Sequence, residues 1–146
     1  MKAQLIENMN RNLSNLQVLY VKLHNYHWNI KGFRFFQVHN LTEEYYDHIA
    51  KLYDDVAERI LQIGGKPFAS MSEYLANADI KEENKKEFGE EEVLRNIIAD
   101  FEQLLSDYNK ISDIADEAGD KASAGMADEN IAYFEKALWM LKANFA

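Results

Sequence analysis

Five side chains between residues 27 and 58 have the types and the spacing to bind transition-metal ions together. They are two histidines and three acids: His27, His39, Glu43, Asp54 and Glu58. Glu43 follows His39 by four positions, and Glu58 follows Asp54 by four, so in a helix each pair would share one face. Imidazole and carboxylate groups that converge are a ligand set for iron or another first-row divalent ion. The sequence therefore predicts a metal site wherever the fold brings these groups together.

Helical geometry decides how many chains such a site needs. Glu43 and Asp54 are eleven residues apart, which places them on one face of a helix but roughly 16 Å apart along its axis. A single metal ion therefore cannot take both acids from one chain. An antiparallel two-fold pairing of two copies would bring His39 and Glu43 of one copy against Asp54 and Glu58 of the other. We therefore predict a site that belongs to a homodimer.

The elements that must position these residues are long helices. Apolar residues recur at steps of three or four along most of the 146 residues, and only one proline and six glycines interrupt the chain. The first helix is predicted to end at Gly32 in a left-handed cap. The second is predicted to run from about Gln37 to Ile63, where a Gly-Gly pair and a proline follow.

The second half of the chain predicts another helical pair. Residues 66–88 form a long connection, in which SMSEYLANA predicts a short helix capped by Ser72. The third long helix opens with Glu90 and two further glutamates, which suit a helix N-terminus, and Gly119 to Gly125 is predicted to turn into the last helix. We predict an all-α fold, a ferritin-like four-helix bundle with a short helix in the crossover, as one domain over residues 1–146. A crossover-free bundle with a disordered loop is the alternative.

Composition limits the possible metal ligands, the cellular compartment and the binding partners. The chain has no cysteine, so any metal must be held by nitrogen and oxygen ligands, and the absence of disulfides fits the cytoplasm. No segment looks like a signal core or a membrane span. The formal net charge of −9 argues against non-specific attraction to DNA or to anionic lipid.

The same residues carry a family resemblance. The chain contains the run H-W-N-x-x-G-x-x-F-x-x-x-H-x-x-x-E, followed by D-x-x-x-E-R, and this pattern closely resembles the signature of the Dps family, the miniferritins. The matching positions are His27, Trp28, Asn29, Gly32, Phe35, His39, Glu43, Asp54, Glu58 and Arg59. The resemblance extends through the Gly-Gly-Lys-Pro turn to the helix that holds Trp139, so it covers nearly the whole chain.

The resemblance implies a function. Dps proteins are four-helix bundles that assemble from two-fold dimers into hollow dodecamers with di-iron ferroxidase centres at the two-fold interfaces. It assigns His27, His39 and Glu43 to one subunit and Asp54 and Glu58 to its mate, as catalytic and metal-binding residues. The implied activity is oxidation of Fe(II), preferentially with hydrogen peroxide, and storage of the ferric mineral; zinc or manganese could replace iron. Acidic pores implied for iron entry have four candidate residues here: Asp120, Asp128, Glu129 and Glu135.

Other interpretations stay open at this point. Asp54 and Glu58 could be a solvated acidic face, and His27 a core histidine of an inert bundle. Arg59 is interpreted as an ion-pair residue. Dps members that bind DNA generally carry basic tails, whereas Lys2 is the only basic residue before the first predicted helix; DNA binding is therefore not expected. The competing class of function is a non-enzymatic DNA-protecting or host-signalling shell in which metal binding is secondary.

Overall fold

Five α-helices account for most of the chain in the computed structural model, which describes residues 1–146. They are α1 (Lys2–Asn29), α2 (Phe35–Gln62), α3 (Met71–Asn77), α4 (Glu90–Glu117) and α5 (Lys121–Lys142). A single 3-10 turn follows α5, and no strand forms. No helix combines the length and the apolar character that a membrane span requires.

The helices form two hairpins joined by a crossover. Helix α1 packs along α2, α4 packs along α5, and the two hairpins meet where α1 contacts α4. The crossover carries α3, which lies on α1. The predicted all-α ferritin-like bundle with a short crossover helix is therefore confirmed, and the crossover-free alternative is wrong.

Aromatic side chains fill the centre of the bundle. The ring of Phe101 lies 4.8 Å from that of Tyr45 and 5.0 Å from that of Phe134, which in turn stacks on Tyr108 at 5.9 Å. All four are buried within one continuous apolar core. Close packing of rings at the centre of the bundle favours an apolar interior over one that binds ions.

The first connection departs from its prediction. Helix α1 ends at Asn29, not in a cap at Gly32. The backbone of Ile30 is extended, and Ile30 forms an isolated parallel bridge with Phe88. Gly32 instead lies in the loop with a φ of +147°, and a Cβ there would come 2.9 Å from the Glu90 Cγ. The positive φ and the nearby Glu90 side chain therefore both favour glycine at this position.

Two further boundaries also differ from prediction. Ser70, not Ser72, caps α3, because Glu73 stands three residues after Ser70 and the two form a capping box: the Ser70 Oγ accepts from the Glu73 backbone N–H. The turn predicted to extend to Gly125 ends earlier, since the Asp120 side chain accepts from the Ser123 N–H and starts α5 at once.

Three buried asparagines of α1 hold the crossover in place. Each uses its side-chain amide to bind backbone groups of the connecting segment, which otherwise lack regular partners. The Asn10 amide pairs with Lys66 O and Phe68 N, Asn15 Oδ1 accepts from the N–H groups of Asp79 and Ile80, and Asn25 Nδ2 donates to Glu83 O and Lys85 O. The crossover is therefore fixed along the length of α1.

One of these amides, that of Asn15, also binds a partly buried carboxylate. Asp107 of α4 accepts from the side-chain amides of Asn15 at 2.9 Å, Asn12 at 3.1 Å and Gln103 at 3.0 Å. Burial raises the pKa of Asp107, and the three donors oppose that shift. Asn15 thus connects α1, α4 and the crossover through one side chain.

Replacing Asn15 by alanine should therefore destabilise the protein. Asn15→Ala removes the acceptor of the buried Ile80 N–H and of the partly buried Asp79 N–H, and one of the two donors to Asp107 Oδ2, a loss of about 2–4 kcal/mol. Asn109→Ala is the matched control, because the Asn109 amide only donates to Leu105 O at the exposed surface of α4. Thermal unfolding at equal protein concentration checks the comparison, and equal midpoints for the two variants would contradict this account.

Candidate metal centre

Two histidines meet where α1 ends and α2 begins. The rings of His27 and His39 stack with centroids 3.6 Å apart and planes 17° from parallel. Glu43 follows His39 by one helical turn, and its Oε1 lies 3.9 Å from the His27 Nε2. Ligand atoms of all three residues fall within 4.8 Å of one another. We call these three residues the histidine half-site.

Backbone carbonyls fix the protonation of both rings. His27 Nδ1 lies 2.7 Å from His39 O, and His39 Nδ1 lies 2.8 Å from His27 O. A carbonyl oxygen can only accept a hydrogen bond, so each Nδ1 carries the proton and donates it. In the neutral imidazole each Nε2 is then the bare nitrogen, which is the form that binds a metal ion.

The surroundings of His27 favour the neutral imidazole. The residue is only 6% exposed, and burial lowers its pKa below the usual 6.5, with the neighbouring His39 ring acting in the same direction. The carbonyl of His39 and the Glu43 carboxylate oppose the shift without reversing it. A metal ion approaching at neutral pH therefore meets no proton on the Nε2 of this ring.

Further along α2, three carboxylates form a second group. Asp54, Asp55 and Glu58 have carboxylate oxygens within 4.8 Å of one another, and we call them the acidic half-site. Asp54 and Glu58 were predicted from spacing, whereas Asp55 was not. Its neighbour one turn earlier, Lys51, binds it at 2.8 Å. The acidic half-site is more exposed than the buried His27.

The structure thus distributes the five predicted residues over two groups. The two groups have no residue in common. Within one chain, the histidine half-site offers two neutral nitrogens and one carboxylate, and the acidic half-site offers carboxylates alone. Neither half-site by itself matches the mixed set of five ligands that the sequence predicts.

One further residue that contacts the histidine half-site was not predicted from the sequence. Thr42 is completely buried, and its hydroxyl lies 3.1 Å from the His27 Nδ1. It stands one helical turn after His39 and is the only threonine in the chain. A lone threonine on the otherwise apolar core face of α2 was the feature of the sequence from which its role could have been suspected.

Arg59 forms the predicted ion pair. Its guanidinium binds the Asp120 carboxylate at 2.8 Å and donates to the Ser123 hydroxyl at 2.9 Å. Burial alone would raise the pKa of Asp120, but the hydrogen bonds from Ser123 and Arg59 lower it overall. Arg59 therefore ties α2 to the start of α5.

Two of the four acids considered for iron entry are engaged within the chain. Asp120 caps α5 and binds Arg59. Asp128 accepts from the Ser112 hydroxyl at 2.5 Å. Glu129 and Glu135 are exposed on α5, so their carboxylates are more accessible to an entering iron ion than that of Asp120.

Large apolar side chains lie exposed near both half-sites. Trp28, the residue after His27, is 68% exposed, and Leu61, three residues after Glu58, is 59% exposed. A cluster of rings, His24, Tyr46 and Trp28, continues from the histidine half-site to the surface, with His24 stacked on Tyr46 at 3.8 Å. Apolar patches of this kind mark surfaces that contact another molecule.

Comparison with known proteins places this bundle in a family. The model of the ferritin-like domain family, Ferritin, matches residues 6–146. Over 129 residues the chain is 40% identical to the DNA protection during starvation protein of Helicobacter pylori strain J99, a match that covers 88% of this chain and 90% of the relative.

Solved structures agree with this placement. The Dps protein of Bacillus brevis superposes with a TM-score of 0.95 at 39% identity, covering 99% of this chain and 97% of that one. The Dps protein of Vibrio cholerae O1, described as a member of a broad superfamily of ferritin-like diiron-carboxylate proteins, superposes with a TM-score of 0.95 at 34% identity, covering 99% and 91%.

The fold and the sequence match define a ferritin-like protein. Within that class, the chain belongs to the Dps family. The resemblance drawn from the H-W-N and D-x-x-x-E-R motifs is confirmed.

The lowered pKa of His27 predicts how stability depends on pH. Because the folded state holds this imidazole neutral, the unfolded state binds more protons below about pH 6.5, and acidification favours unfolding. The wild type should therefore lose stability relative to a His27→Gln variant as the pH falls from neutral to well below 6.5. Unfolding midpoints measured across that range check this, and a difference independent of pH would contradict it.

Proposed function

We propose that this chain is the subunit of a ferroxidase and iron-storage miniferritin, an oxidoreductase that acts on metal ions. It oxidises Fe(II), preferentially with hydrogen peroxide, at sites between subunits, and stores the ferric mineral in a hollow shell, which protects the cell against oxidative damage. The observation that carries the proposal is the histidine half-site, in which two bare Nε2 atoms and the Glu43 carboxylate lie within 4.8 Å of one another. The chain acts as one ferritin-like domain over residues 1–146.

The bundle interior supports a site on the outside of the subunit. Its aromatic centre holds no carboxylate pair, and the two partly buried acids of α4 that face the bundle, Asp100 and Asp107, are already bound. Asp100 lies 2.6 Å from the Lys22 ammonium, and Asp107 accepts from three amides. Burial raises the pKa of Asp100 despite Lys22. Iron ligands must therefore come from the outer face of α2 and the end of α1.

Two copies complete the centre. On α2 the two half-sites are separated by roughly 16 Å along the helix axis, so an antiparallel two-fold pairing places each histidine half-site opposite a partner's acidic half-site. The exposed Trp28 and Leu61 beside the half-sites are the kind of surface that such a pairing buries. Twelve copies, arranged as six such dimers, would form the shell.

The ligand set suits the iron substrate in both oxidation states. The carboxylates of Glu43, Asp54 and Glu58 stabilise Fe(III) over Fe(II) by charge, whereas neutral His27 and His39 hold the ferrous ion more loosely and allow exchange. Two Fe(II) ions together supply the two electrons that, with two protons, reduce hydrogen peroxide to two waters. Paired oxidation therefore avoids a one-electron cleavage of peroxide to hydroxyl radical. Zinc or manganese would bind the same ligands as substitutes.

A second function has its own support. The H. pylori relative is named for DNA protection during starvation, and a DNA-protecting or host-signalling shell would need no enzymatic iron chemistry. The net charge of −9 per subunit opposes direct contact with DNA, so we assign protection to the removal of iron and peroxide in the cytoplasm. A gel shift across a range of salt concentrations separates the two functions, because direct binding would appear at low salt.

Neutral replacements in the acidic half-site should slow iron oxidation. Asp54→Asn and Glu58→Gln keep side-chain volume but remove the negative charge that favours Fe(III), and initial rates at limiting iron should fall by roughly tenfold or more. Asp113→Asn, an exposed acid of α4, is the matched control and should oxidise iron like the wild type. Unaltered rates in correctly assembled Asp54 and Glu58 variants would remove these residues from the centre.

Mixing two inactive variants tests whether the centre lies between subunits. His27→Ala/His39→Ala and Asp54→Ala/Glu58→Ala should each be inactive. After unfolding and joint reassembly, each mixed dimer holds one intact and one doubly damaged centre. Random pairing makes about half of the dimers mixed, so activity should recover to roughly a quarter of the wild-type sites.

Native mass spectrometry of the same sample establishes that the chains have mixed. If mixed assemblies stay inactive, each centre would have to be built within one chain, and the intersubunit arrangement would be wrong. Family membership does not depend on that result, because the sequence match and the fold stand independently of it.

A further inference from the structure

The hydroxyl of Thr42 lies between the two histidines of the half-site. Its Oγ1 is 2.9 Å from Val38 O and 2.9 Å from His39 O, both carbonyls of its own helix. Its third neighbour is His27 Nδ1 on α1, at 3.1 Å. The side chain is fully buried, so no water competes for these contacts.

Counting protons assigns the direction of each bond. Thr42 has one hydroxyl proton, which one of the two carbonyls must take, since a carbonyl can only accept. The oxygen lone pairs of Thr42 then remain for the Nδ1–H of His27. That N–H therefore has two acceptors, His39 O at 2.7 Å and Thr42 Oγ1 at 3.1 Å.

Two acceptors constrain the imidazole more than one does. A ring held by a single carbonyl can still pivot about its Cβ–Cγ bond, whereas a three-centre bond to two atoms of α2 restricts that rotation. The position of His27 Nε2 relative to Glu43 depends on this rotation, because Nδ1 and Nε2 of His27 belong to one rigid ring. The β-branch of threonine restricts χ1, so the hydroxyl itself is held in place.

We propose that Thr42 is a positioning residue of the metal centre, whose hydroxyl helps to hold His27 in the Nδ1-protonated form and directs its Nε2 toward the site shared with Glu43. The inference rests on the proposed function, in which His27 is a ligand. Hydrogen bonds to the distal nitrogen of a ligating histidine commonly contribute about 10-fold to 100-fold to metal affinity.

Thr42→Val removes the hydroxyl while keeping nearly the same shape. We expect the variant to assemble and to bind Co(II), a probe that binds imidazole and carboxylate, roughly tenfold or more weakly than the wild type. The visible absorption of the bound Co(II) should also change, because His27 reaches the ion with altered geometry. Thr42→Ser keeps the hydroxyl and should restore both the affinity and the spectrum.

Ser14→Ala is the matched control. Ser14 is also fully buried, and its hydroxyl donates to Asn10 O four residues back, as that of Thr42 can to Val38 O, but it forms no hydrogen bond with a histidine. If Thr42→Val does not fold, the comparison of Thr42→Ser with Thr42→Ala replaces it, because these two differ by a single oxygen.

The outcomes separate the two proposals. Weaker Co(II) binding in Thr42→Val, rescue in Thr42→Ser and no change in Ser14→Ala would support the positioning role. Wild-type affinity and spectrum in Thr42→Val, or equal losses in the Ser and Ala variants, would overturn it and leave the ferroxidase proposal standing. If the His27→Ala variant instead bound Co(II) as tightly as the wild type, His27 would not be a ligand, and both proposals would fall.

Discussion

Two hydrogen bonds between α1 and α2 determine most of what this protein can do. The last four carbonyls of a helix lack partners within it, and His27 O, near the end of α1, receives the Nδ1–H of His39. The reciprocal bond from His27 reaches His39 O. The same pair of bonds therefore satisfies a helix end, joins two helices and leaves both Nε2 atoms free. A structural requirement of the hairpin and a chemical requirement of the centre are met by one arrangement.

The rest of the fold holds that junction steady. The loop between α1 and α2 is tied to the segment before α4, since Lys31 N donates to Phe88 O at 2.9 Å and Arg34 N donates to the Glu90 carboxylate. On the other side of α1, Asn15 and its neighbouring asparagines fix the crossover. Because the core between these anchors is aromatic and closely packed, small shifts at the hairpin are resisted by the whole bundle. Rigid support of this kind is what a ligand set needs for reproducible geometry.

Local patterns predicted the elements and the ligand types, whereas long-range contacts decided the details. Periodicity located the four long helices, but the end of α1 depended on pairing of Ile30 with Phe88, far away in sequence. Spacing on α2 identified His39, Glu43, Asp54 and Glu58 as candidates. Thr42 was missed because its importance comes from a histidine on another helix. The anchoring role of Asn15 was missed for the same reason: its partners are backbone groups of the crossover, which no side-chain pattern reveals.

The division of ligands over two half-sites has a consequence for control of the chemistry. On the proposed pairing, the histidine half-site supplies neutral nitrogens that suit Fe(II), and the acidic half-site supplies the charge that favours Fe(III). Neither a lone subunit nor a damaged dimer would offer both, so iron oxidation would begin only where two chains have met correctly. Oxidation would then take place at a wall of the shell rather than in free solution. The 16 Å or so between half-sites along α2, set by the pitch of a single helix, would be the feature that couples catalysis to assembly.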